Sequence, residues 1–210
     1  LGIGSSASTD GGTGMLSALG ARFVDADGQP VTRGARGLGA LAAVDLSGLR
    51  AVPEVRVLTD VTNPLTGPRG AAAVFGPQKG LVGAADIAQV DAALARLADL
   101  LALDGATPGA GAAGGTGGAL LAWGGVLAPG AEEVAALIGL GDAIAAADVV
   151  ITGEGSYDGQ SGDGKVPSFI AGLASGAGIP ALIAAGRITE EADTALFAAS
   201  ASLTELAGSS

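Results

Sequence analysis

The stretch ITGEGSYDGQSGDGKVP, residues 151–167, lies between two segments with different apolar patterns. Residues 145–152 are apolar and end in β-branched side chains, which predicts a buried strand. Residues 168–174 have the apolar spacing of a helix. A strand that runs through a glycine-rich polar loop into a helix is a usual place for an α/β protein to bind its ligand. The sequence therefore predicts an α/β fold with a ligand-binding loop in this stretch.

The side chains of this loop favour phosphoryl-transfer chemistry. Three carboxylates and one lysine are separated mostly by glycines: Glu154, Asp158, Asp163 and Lys165. Carboxylate oxygens suit Mg²⁺, and a lysine can offset the charge of a phosphoryl group. The loop is therefore our first candidate for a phosphoryl-transfer site.

Residues 159–165, GQSGDGK, fit the G-x-x-x-x-G-K frame of a P-loop, but their surroundings do not. Val166 follows where a P-loop has the Ser or Thr that binds Mg²⁺, and the first glycine lies well beyond the end of the predicted strand. In a chain with 38 glycines, a chance match is expected. We therefore do not interpret this segment as a P-loop.

The composition predicts a sizeable core built from aliphatic side chains. The chain has 210 residues, enough for one large domain or two small ones. Hydrophobic residues make up 49% but aromatic residues only 3%, so the core must consist of Ala, Val, Leu and Ile. The glycines are far above the ordinary usage of about 7%. They have no G-X-Y period, which excludes a collagen-like chain.

The charge balance and the absent residue types limit the chemistry. With 10 basic and 21 acidic residues the formal charge is −11, so we expect no nucleic-acid partner. The chain has no His and no Cys, which leaves oxygen-ligated Mg²⁺ as the natural metal. No apolar run approaches the roughly 20 residues that span a bilayer, so we expect no membrane partner.

The first glycine-rich stretch, residues 1–20, predicts a polar loop that passes into a helix. Ser8, Thr9 or Asp10 could cap that helix, whose apolar face follows. Asp10 is followed directly by two glycines, and a carboxylate in such a position suits contact with a metal or a hydroxyl group. The alternative is an N-cap followed by tight helix packing.

The second stretch, DVTNPLTGPRGAAAVFGPQKG at residues 60–80, predicts a fixed loop because three prolines interrupt any helix or central strand. Polar side chains are held on this frame at Asp60, Asn63, Thr66, Arg69, Gln78 and Lys79. Preorganised polar groups suit the positioning of reactants. The alternative is an ordinary proline-rich connection.

The third stretch, GATPGAGAAGGTGG at residues 105–118, precedes a predicted helix. Its glycines could cradle an anion or only allow close packing, and both interpretations stay open. Apolar periodicity predicts the other elements: strands at 21–25, 54–60 and 179–186, and helices at 87–103, 132–147 and 193–199. The strand–loop–helix units after residue 148 indicate a parallel sheet of about two strands. We interpret Arg33 and Arg36 as solvated surface residues.

Four stretches together resemble bacterial glycerate kinases of the first structural class: GIGSSASTDGGTGML, DVTNPLTGPRGAAAVFGPQKG, GAGAAGGTGGALLA and TGEGSYDGQSGDGKVP. Their order and spacing fit, and they extend the resemblance over nearly the whole chain. It implies transfer of the ATP γ-phosphate to a hydroxyl of D-glycerate, with Mg²⁺, to give phosphoglycerate. It also implies a cytoplasmic enzyme and leaves a homodimer open.

The resemblance further implies two α/β domains. We expect residues 1–145 to form the mixed α/β inserted domain with its three glycine-rich loops. Residues 146–210 would form part of a flavodoxin-like (Rossmann-like) parallel-sheet domain. Family proteins begin with a strand and an Asp-Ser-Phe-Lys-Gly loop that this sequence lacks, so we expect a chain truncated at its N-terminus. A chain of that kind could bind glycerate or nucleotide without turning them over.

The resemblance implies a set of site residues. We expect catalytic roles for Asp10, Asp158 and Lys165, and Mg²⁺ ligation by Asp10, Asp60 and Asp158, which should converge on one cleft. Substrate and phosphate contacts are expected from Ser6, Gly11, Gly12, Asn63, Arg69, Lys79, Gly115, Glu154 and Gly155. The rival from another class is a structural scaffold whose glycine loops serve only packing.

Overall fold

A computed structural model describes residues 1–51, 54–158 and 166–208 of the chain. The fold is mixed α/β, and the chain divides into two compact units, Leu1–Pro129 and Gly130–Ser210. Within the described residues, we find no helix with both the length and the apolar character needed to cross a membrane.

The first unit is a helical assembly with two short strand pairs. In chain order it contains α1 (Thr13–Ala18), β1 (Arg22–Val24), α2 (Ala35–Leu38), β2 (Ala43–Asp45), β3 (Arg56–Leu58), α3 (Ala71–Phe75), α4 (Ala84–Leu100), α5 (Thr116–Ala122) and β4 (Val126–Ala128), with 3₁₀ turns at Pro77–Lys79 and Ala112–Gly115. β1 pairs antiparallel with β2, and β3 pairs parallel with β4.

The core of the first unit forms around α4, the helix that the sequence predicts most clearly. Val90, Leu94 and Leu97 repeat at helical spacing and are buried on one face. Each fully buried leucine contributes roughly 1.5–3 kcal/mol relative to an exposed one. The helix thus provides the fixed support on which the glycine- and proline-rich loops of this unit pack.

The second unit contains the regular parallel sheet. In chain order it has α6 (Gly130–Leu137), α7 (Leu140–Ala145), β5 (Val150–Thr152), β6 (Ser156–Tyr157), α8 (Val166–Ala177), β7 (Ala181–Ala185), β8 (Arg187–Ile188), β9 (Ala199–Ser202) and α9 (Leu203–Leu206). The sheet order is β5-β7-β9, all parallel, and β6 pairs separately with β8, also in parallel. The sheet therefore has three strands rather than the predicted two.

Two helix predictions in this unit need correction. The segment 132–147 is two helices, because Gly139 adopts a left-handed φ of 67° between them. The helix predicted at 193–199 is wrong. The Asp193 carboxylate accepts a hydrogen bond from the Ala195 amide, which stabilises a turn. Phe197 then points into the core, and the chain enters β9.

The division between the units lies after Pro129, earlier in the chain than the boundary expected after residue 145. α7 belongs to the second unit because Ile144, which is buried, packs in the same core as Ala171 and Ile183. α6 belongs to it because this helix packs against α7 and α8. Among the described strands, each sheet is built from one unit only.

Candidate functional site

Asp10 fixes the start of α1. Its Oδ1 accepts a hydrogen bond from the Gly12 amide at 3.0 Å, and its Oδ2 accepts one from the Gly14 amide at 3.1 Å. Its carbonyl oxygen also accepts from the Thr13 hydroxyl at 2.9 Å. The first N–H groups of a helix have no partner within the helix. The Asp10 carboxylate satisfies one of them, that of Gly14, and also the amide of Gly12, the residue just before the helix. Among the three capping candidates, Asp10 is therefore the one that serves this role.

The loop around Asp10 packs directly on the third glycine-rich stretch. The Gly11 amide donates to the Gly114 carbonyl at 3.0 Å. A Cβ on Gly114 would collide with the Ser8 carbonyl oxygen, and a Cβ on Gly115 would lie 2.7 Å from the Gly11 Cα. These glycines are required because the two backbones touch. A phosphate-cradling role for Gly11, Gly12 and Gly115 stays a prediction.

Lys79 joins the second stretch to the first. Its Nζ donates to the Ser6 Oγ and to the Ser8 carbonyl oxygen, each at 2.8 Å. Burial lowers the pKa of Lys79, and the nearby charge of Asp10 acts in the opposite direction. A lysine ammonium has three N–H donors, so one is left for a ligand once these two described acceptors are satisfied. Ser6, Asp10 and Lys79, all predicted site residues, therefore lie together.

A small cavity of about 160 Å³ opens beside Lys79. Its polar wall is formed by Ser5, Ser6, Thr59, Gln78 and Lys79. Asp60 is the next residue after Thr59 in the chain. Hydroxyl groups, an amide and one cation can hydrogen-bond a small polar anion. We call this the hydroxyl cavity.

The backbone around the hydroxyl cavity is strained. Ser5 and Ala113 line it, and both have left-handed backbones, with φ of 57° and 53°. Such conformations cost non-glycine residues of order 1–3 kcal/mol and cluster at ligand sites. This strain adds a second reason to regard the cavity as functional.

A larger cavity of about 430 Å³ also has Lys79 in its wall. Arg33, Arg36, Ser8 and Thr9 line it as well. We call this the arginine cavity. Our interpretation of Arg33 and Arg36 as ordinary surface residues overlooked it. The available signal was the clustering of two of only 10 basic residues three positions apart, in a chain of charge −11.

Two predicted residues of the second stretch brace that loop. The Asn63 Nδ2 donates to the Arg69 carbonyl at 2.8 Å, and the Asn63 carbonyl accepts from the Gly111 amide at 3.0 Å. The amide side chain thus holds the proline-rich loop together, while the backbone ties it to the third stretch. A role for Asn63 or Arg69 in substrate binding stays a prediction.

In the second unit, Glu154 and Gly155 follow β5. Their carbonyl oxygens accept from the Gly186 amide at 3.0 Å and the Arg187 amide at 3.1 Å. Within the described part of the chain, the Glu154 Oε1 is buried without a hydrogen-bond partner. A buried polar atom of this kind calls for an explanation such as a bound ligand.

The other predicted residues of this loop lie at or beyond the limit of the described residues. Asp158 directly follows β6. Lys165 and the P-loop-like frame at 159–165 lie outside the described residues. The Tyr157 hydroxyl donates a hydrogen bond to the Asp193 carbonyl at 3.1 Å, and the Tyr157 ring packs edge-on against Phe197. Tyr157 is therefore a core residue of the second unit, as Phe197 is, which corrects the expectation of a core made of Ala, Val, Leu and Ile alone.

The predicted magnesium ligands are not gathered into a preformed acidic cluster. In residues 1–51, 54–158 and 166–208, no group of three or more acidic side chains is arranged to hold a metal ion. The chemistry of the donors still fits Mg²⁺, because both carboxylate oxygens of Asp10 keep lone pairs beyond their single N–H contacts. Ligation by Asp10, Asp60 and Asp158 stays a prediction.

Comparison with known proteins shows the family to which this chain, with its mixed α/β fold and parallel sheets, belongs. Residues 1–209 match the model of the glycerate kinase family, and the chain belongs to that family. It is 43% identical over 200 residues to a glycerate 2-kinase of Escherichia coli (strain K12), covering 91% of this chain and 52% of that protein. A glycerate kinase of Bacillus subtilis (strain 168) is 42% identical over 204 residues, covering 92% and 53%.

The structural comparison agrees. The crystal structure of a provisionally named glycerate kinase 2 from Salmonella typhimurium LT2 matches with a TM-score of 0.82 and 44% identity. It covers 95% of this chain and 55% of that one. The chain thus spans about half the length of the relatives it matches, at 52% and 53% of the two named above.

Proposed function

We propose that this protein is a glycerate kinase, which transfers the γ-phosphoryl group of ATP to a hydroxyl of D-glycerate to give phosphoglycerate. Family membership and relatives named glycerate kinase support the activity. The observation that carries it is the Lys79 ammonium, which is fixed by Ser6 and Ser8 and lies next to two cavities. A fixed cation beside a polar cavity suits a transferring phosphoryl group.

In this proposal, Lys79 stabilises the charge that develops on the transferring oxygens. Phosphoryl transfer depends mostly on positioning and on such charge stabilisation. The two hydrogen bonds that the Lys79 ammonium donates, to Ser6 and Ser8, hold it in place, so little reorganisation is needed during the reaction. Asp10 and Asp158 are the proposed catalytic carboxylates, and one of them would take the proton of the acceptor hydroxyl.

Mg²⁺ belongs to the proposal as the cofactor of ATP. When bound, it neutralises charge on the phosphate oxygens. Asp10, Asp60 and Asp158 would hold it. Asp10 is already oriented for this role by the amides of Gly12 and Gly14.

We also propose that the first unit corresponds to the inserted domain of the family and the second to part of its flavodoxin-like domain. The parallel β5-β7-β9 sheet and the helix α8 between β5 and β7 support the second assignment. A cytoplasmic location follows from the two soluble substrates, ATP and D-glycerate. Sedimentation would decide whether a homodimer forms.

The test is direct detection of phosphoglycerate by ³¹P NMR after incubation of the chain with MgATP and D-glycerate. The proposal predicts product that requires both substrates. Lys79→Met, which removes the ammonium but keeps a chain of similar length, should abolish most of it. Binding of D-glycerate without product would instead support the binding-only alternative. If thermal-shift measurements show no stabilisation by either substrate, that result would support the alternative of a structural scaffold.

A further inference from the structure

We propose that the two cavities sharing Lys79 hold different substrates, the arginine cavity the triphosphate of the nucleotide and the hydroxyl cavity the hydroxy acid. This division rests on the proposed kinase function and adds the location of each substrate. It places the nucleotide phosphates in the first unit, at Arg33 and Arg36, which the sequence analysis interprets as surface residues.

The sizes of the cavities support this assignment. The arginine cavity has a volume of about 430 Å³, and the hydroxyl cavity about 160 Å³. A triphosphate chain is longer and bulkier than a three-carbon hydroxy acid. The smaller cavity therefore matches the acceptor, and the larger one matches the donor.

The charges of the two cavities support the same assignment as their sizes. Arg33, Arg36 and Lys79 line the larger cavity, whereas hydroxyl groups, an amide and Lys79 line the smaller one. Glycerate carries a single carboxylate, but a triphosphate carries several negative charges. In a chain of net charge −11, local cations are needed to attract such a polyanion. Arginine is also well suited to phosphate because its planar N–H groups match two phosphate oxygens.

The two arginines are available to a ligand. Both side chains are exposed, and neither has an ion pair or a side-chain hydrogen bond within the described part of the chain. Thr9, in the wall of the same cavity, is 7% exposed, and its hydroxyl has no described partner. An unsatisfied buried hydroxyl costs roughly 1–3 kcal/mol. A cavity wall with an unsatisfied polar group and two unpaired cations is more typical of a binding site than of packing.

Lys79 occupies the position that the transfer requires. It lines both cavities and has a third N–H donor beyond its contacts with Ser6 and Ser8. In the transfer, the acceptor hydroxyl oxygen bonds to the γ-phosphorus and the bond from that phosphorus to the bridging oxygen breaks. ADP keeps the electron pair of the broken bond, and the hydroxyl proton passes to one of the proposed catalytic carboxylates, Asp10 or Asp158. Lys79 can contact the phosphoryl group before and after this exchange.

The test measures binding of each anion separately, by calorimetry on the whole chain. The probes are inorganic tripolyphosphate and D-glycerate. Arg33→Gln and Arg36→Gln should each raise the Kd of tripolyphosphate at least tenfold and change the Kd of D-glycerate less than twofold. Thr59→Val, in the hydroxyl cavity, should show the opposite pattern. Arg96→Gln on α4 removes the same charge from an exposed position and should change neither Kd more than twofold.

The outcomes separate this division from the proposed function. The division is overturned if wild-type chain does not bind tripolyphosphate. It is also overturned if Arg33→Gln and Arg36→Gln change neither Kd, as expected of Arg96→Gln, or if they weaken the binding of D-glycerate instead of tripolyphosphate. A third outcome is that tripolyphosphate binding depends on the arginines and D-glycerate binding depends on Thr59, but no phosphoglycerate forms. This outcome would support the division and contradict the proposed activity. Arg36→Lys, which keeps the charge, should retain part of the affinity for tripolyphosphate. Unchanged D-glycerate binding by Arg33→Gln and Arg36→Gln shows that these two variants still fold.

Discussion

The glycines of the first unit and those of α8 have different physical causes. In the first unit, Gly11, Gly114 and Gly115 lie where two backbones touch, and any side chain would collide with a neighbour. In α8, Gly172 and Gly176 have nothing within 4 Å of the position where a Cβ would stand. High glycine content therefore does not by itself indicate a ligand site. Each glycine has to be judged by what surrounds it.

In the first unit, close packing and the candidate site depend on the same atom. The Ser8 carbonyl oxygen accepts the hydrogen bond of Lys79, and it is also the atom that a side chain on Gly114 would displace. The glycine contact thus fixes an acceptor that positions the lysine. Close packing and a candidate site, which the sequence presents as alternatives, therefore share this atom.

The largest effect is expected from Gly114→Ala. Gly114 has a φ of +67°, and the new methyl group would collide with backbone at Ser8. Because backbone atoms cannot move aside as a flexible side chain does, we expect a loss of about 3 kcal/mol or more in the free energy of unfolding. Urea denaturation measures this loss. A decrease below about 1 kcal/mol would show that the contact is not required.

Lys79→Met should mainly affect the reaction rather than stability. We expect kcat/KM for D-glycerate phosphorylation to fall at least about 100-fold, or roughly 2.7 kcal/mol of transition-state stabilisation. The free energy of unfolding should change by less than this, because Lys79 is only partly buried. Steady-state kinetics and urea denaturation on the same samples separate the two effects. Unchanged kinetics would remove Lys79 from the proposed site.

The pH dependence of Lys79 gives a smaller and directional effect. Burial lowers its pKa from the ordinary value of 10.5, so the folded chain releases this proton at a lower pH than the unfolded chain does. Between the folded pKa and 10.5, the unfolded state binds more protons. The free energy of unfolding should therefore rise with pH relative to Lys79→Met in this window, while anion binding is lost. A parallel pH dependence in both chains would contradict the lowered pKa.

The smallest effect is expected from Gly172→Ala, the matched control for Gly114→Ala. Gly172 lies inside α8, Val166–Ala177, with open space around it. Alanine restricts the unfolded chain and favours the helix, so we expect a gain of about 0.5–1 kcal/mol. Thermal unfolding would measure it. A loss of stability would mean that α8 has a neighbour at this face.

Elements with a long, regular apolar pattern were predictable from the sequence. α4 is confirmed, with its boundaries shifted by a few residues, because its buried leucines repeat over several turns. The helix predicted at 193–199 is wrong because the segment is short and only one of its two large apolar residues is buried. Phe197 packs in the core of the second unit, whereas Leu196 is exposed. Short segments are decided by tertiary contacts rather than by periodicity.

The candidate site was predictable only in part. The sequence indicates Ser6, Asp10 and Lys79, and the structure brings these three together across two loops. The sequence could not show that Asp10 uses both carboxylate oxygens to fix the start of α1. An aspartate that caps a helix and one that binds a metal have the same sequence signature. Arg33 and Arg36 were missed because an exposed arginine gains a role only from the cavity beside it, and that cavity is a product of the tertiary fold.

The tryptophan and the tyrosine of this chain also make its two units spectroscopically distinguishable. The protein has one tryptophan and one tyrosine. Trp123 belongs to the first unit and donates its indole N–H to the Arg50 carbonyl at 2.7 Å, whereas Tyr157 is buried in the core of the second. Indole fluorescence should therefore follow the unfolding of the first unit, and the near-ultraviolet signal of the tyrosine that of the second. Without any added label, the native chain can report whether its two halves melt together or in turn.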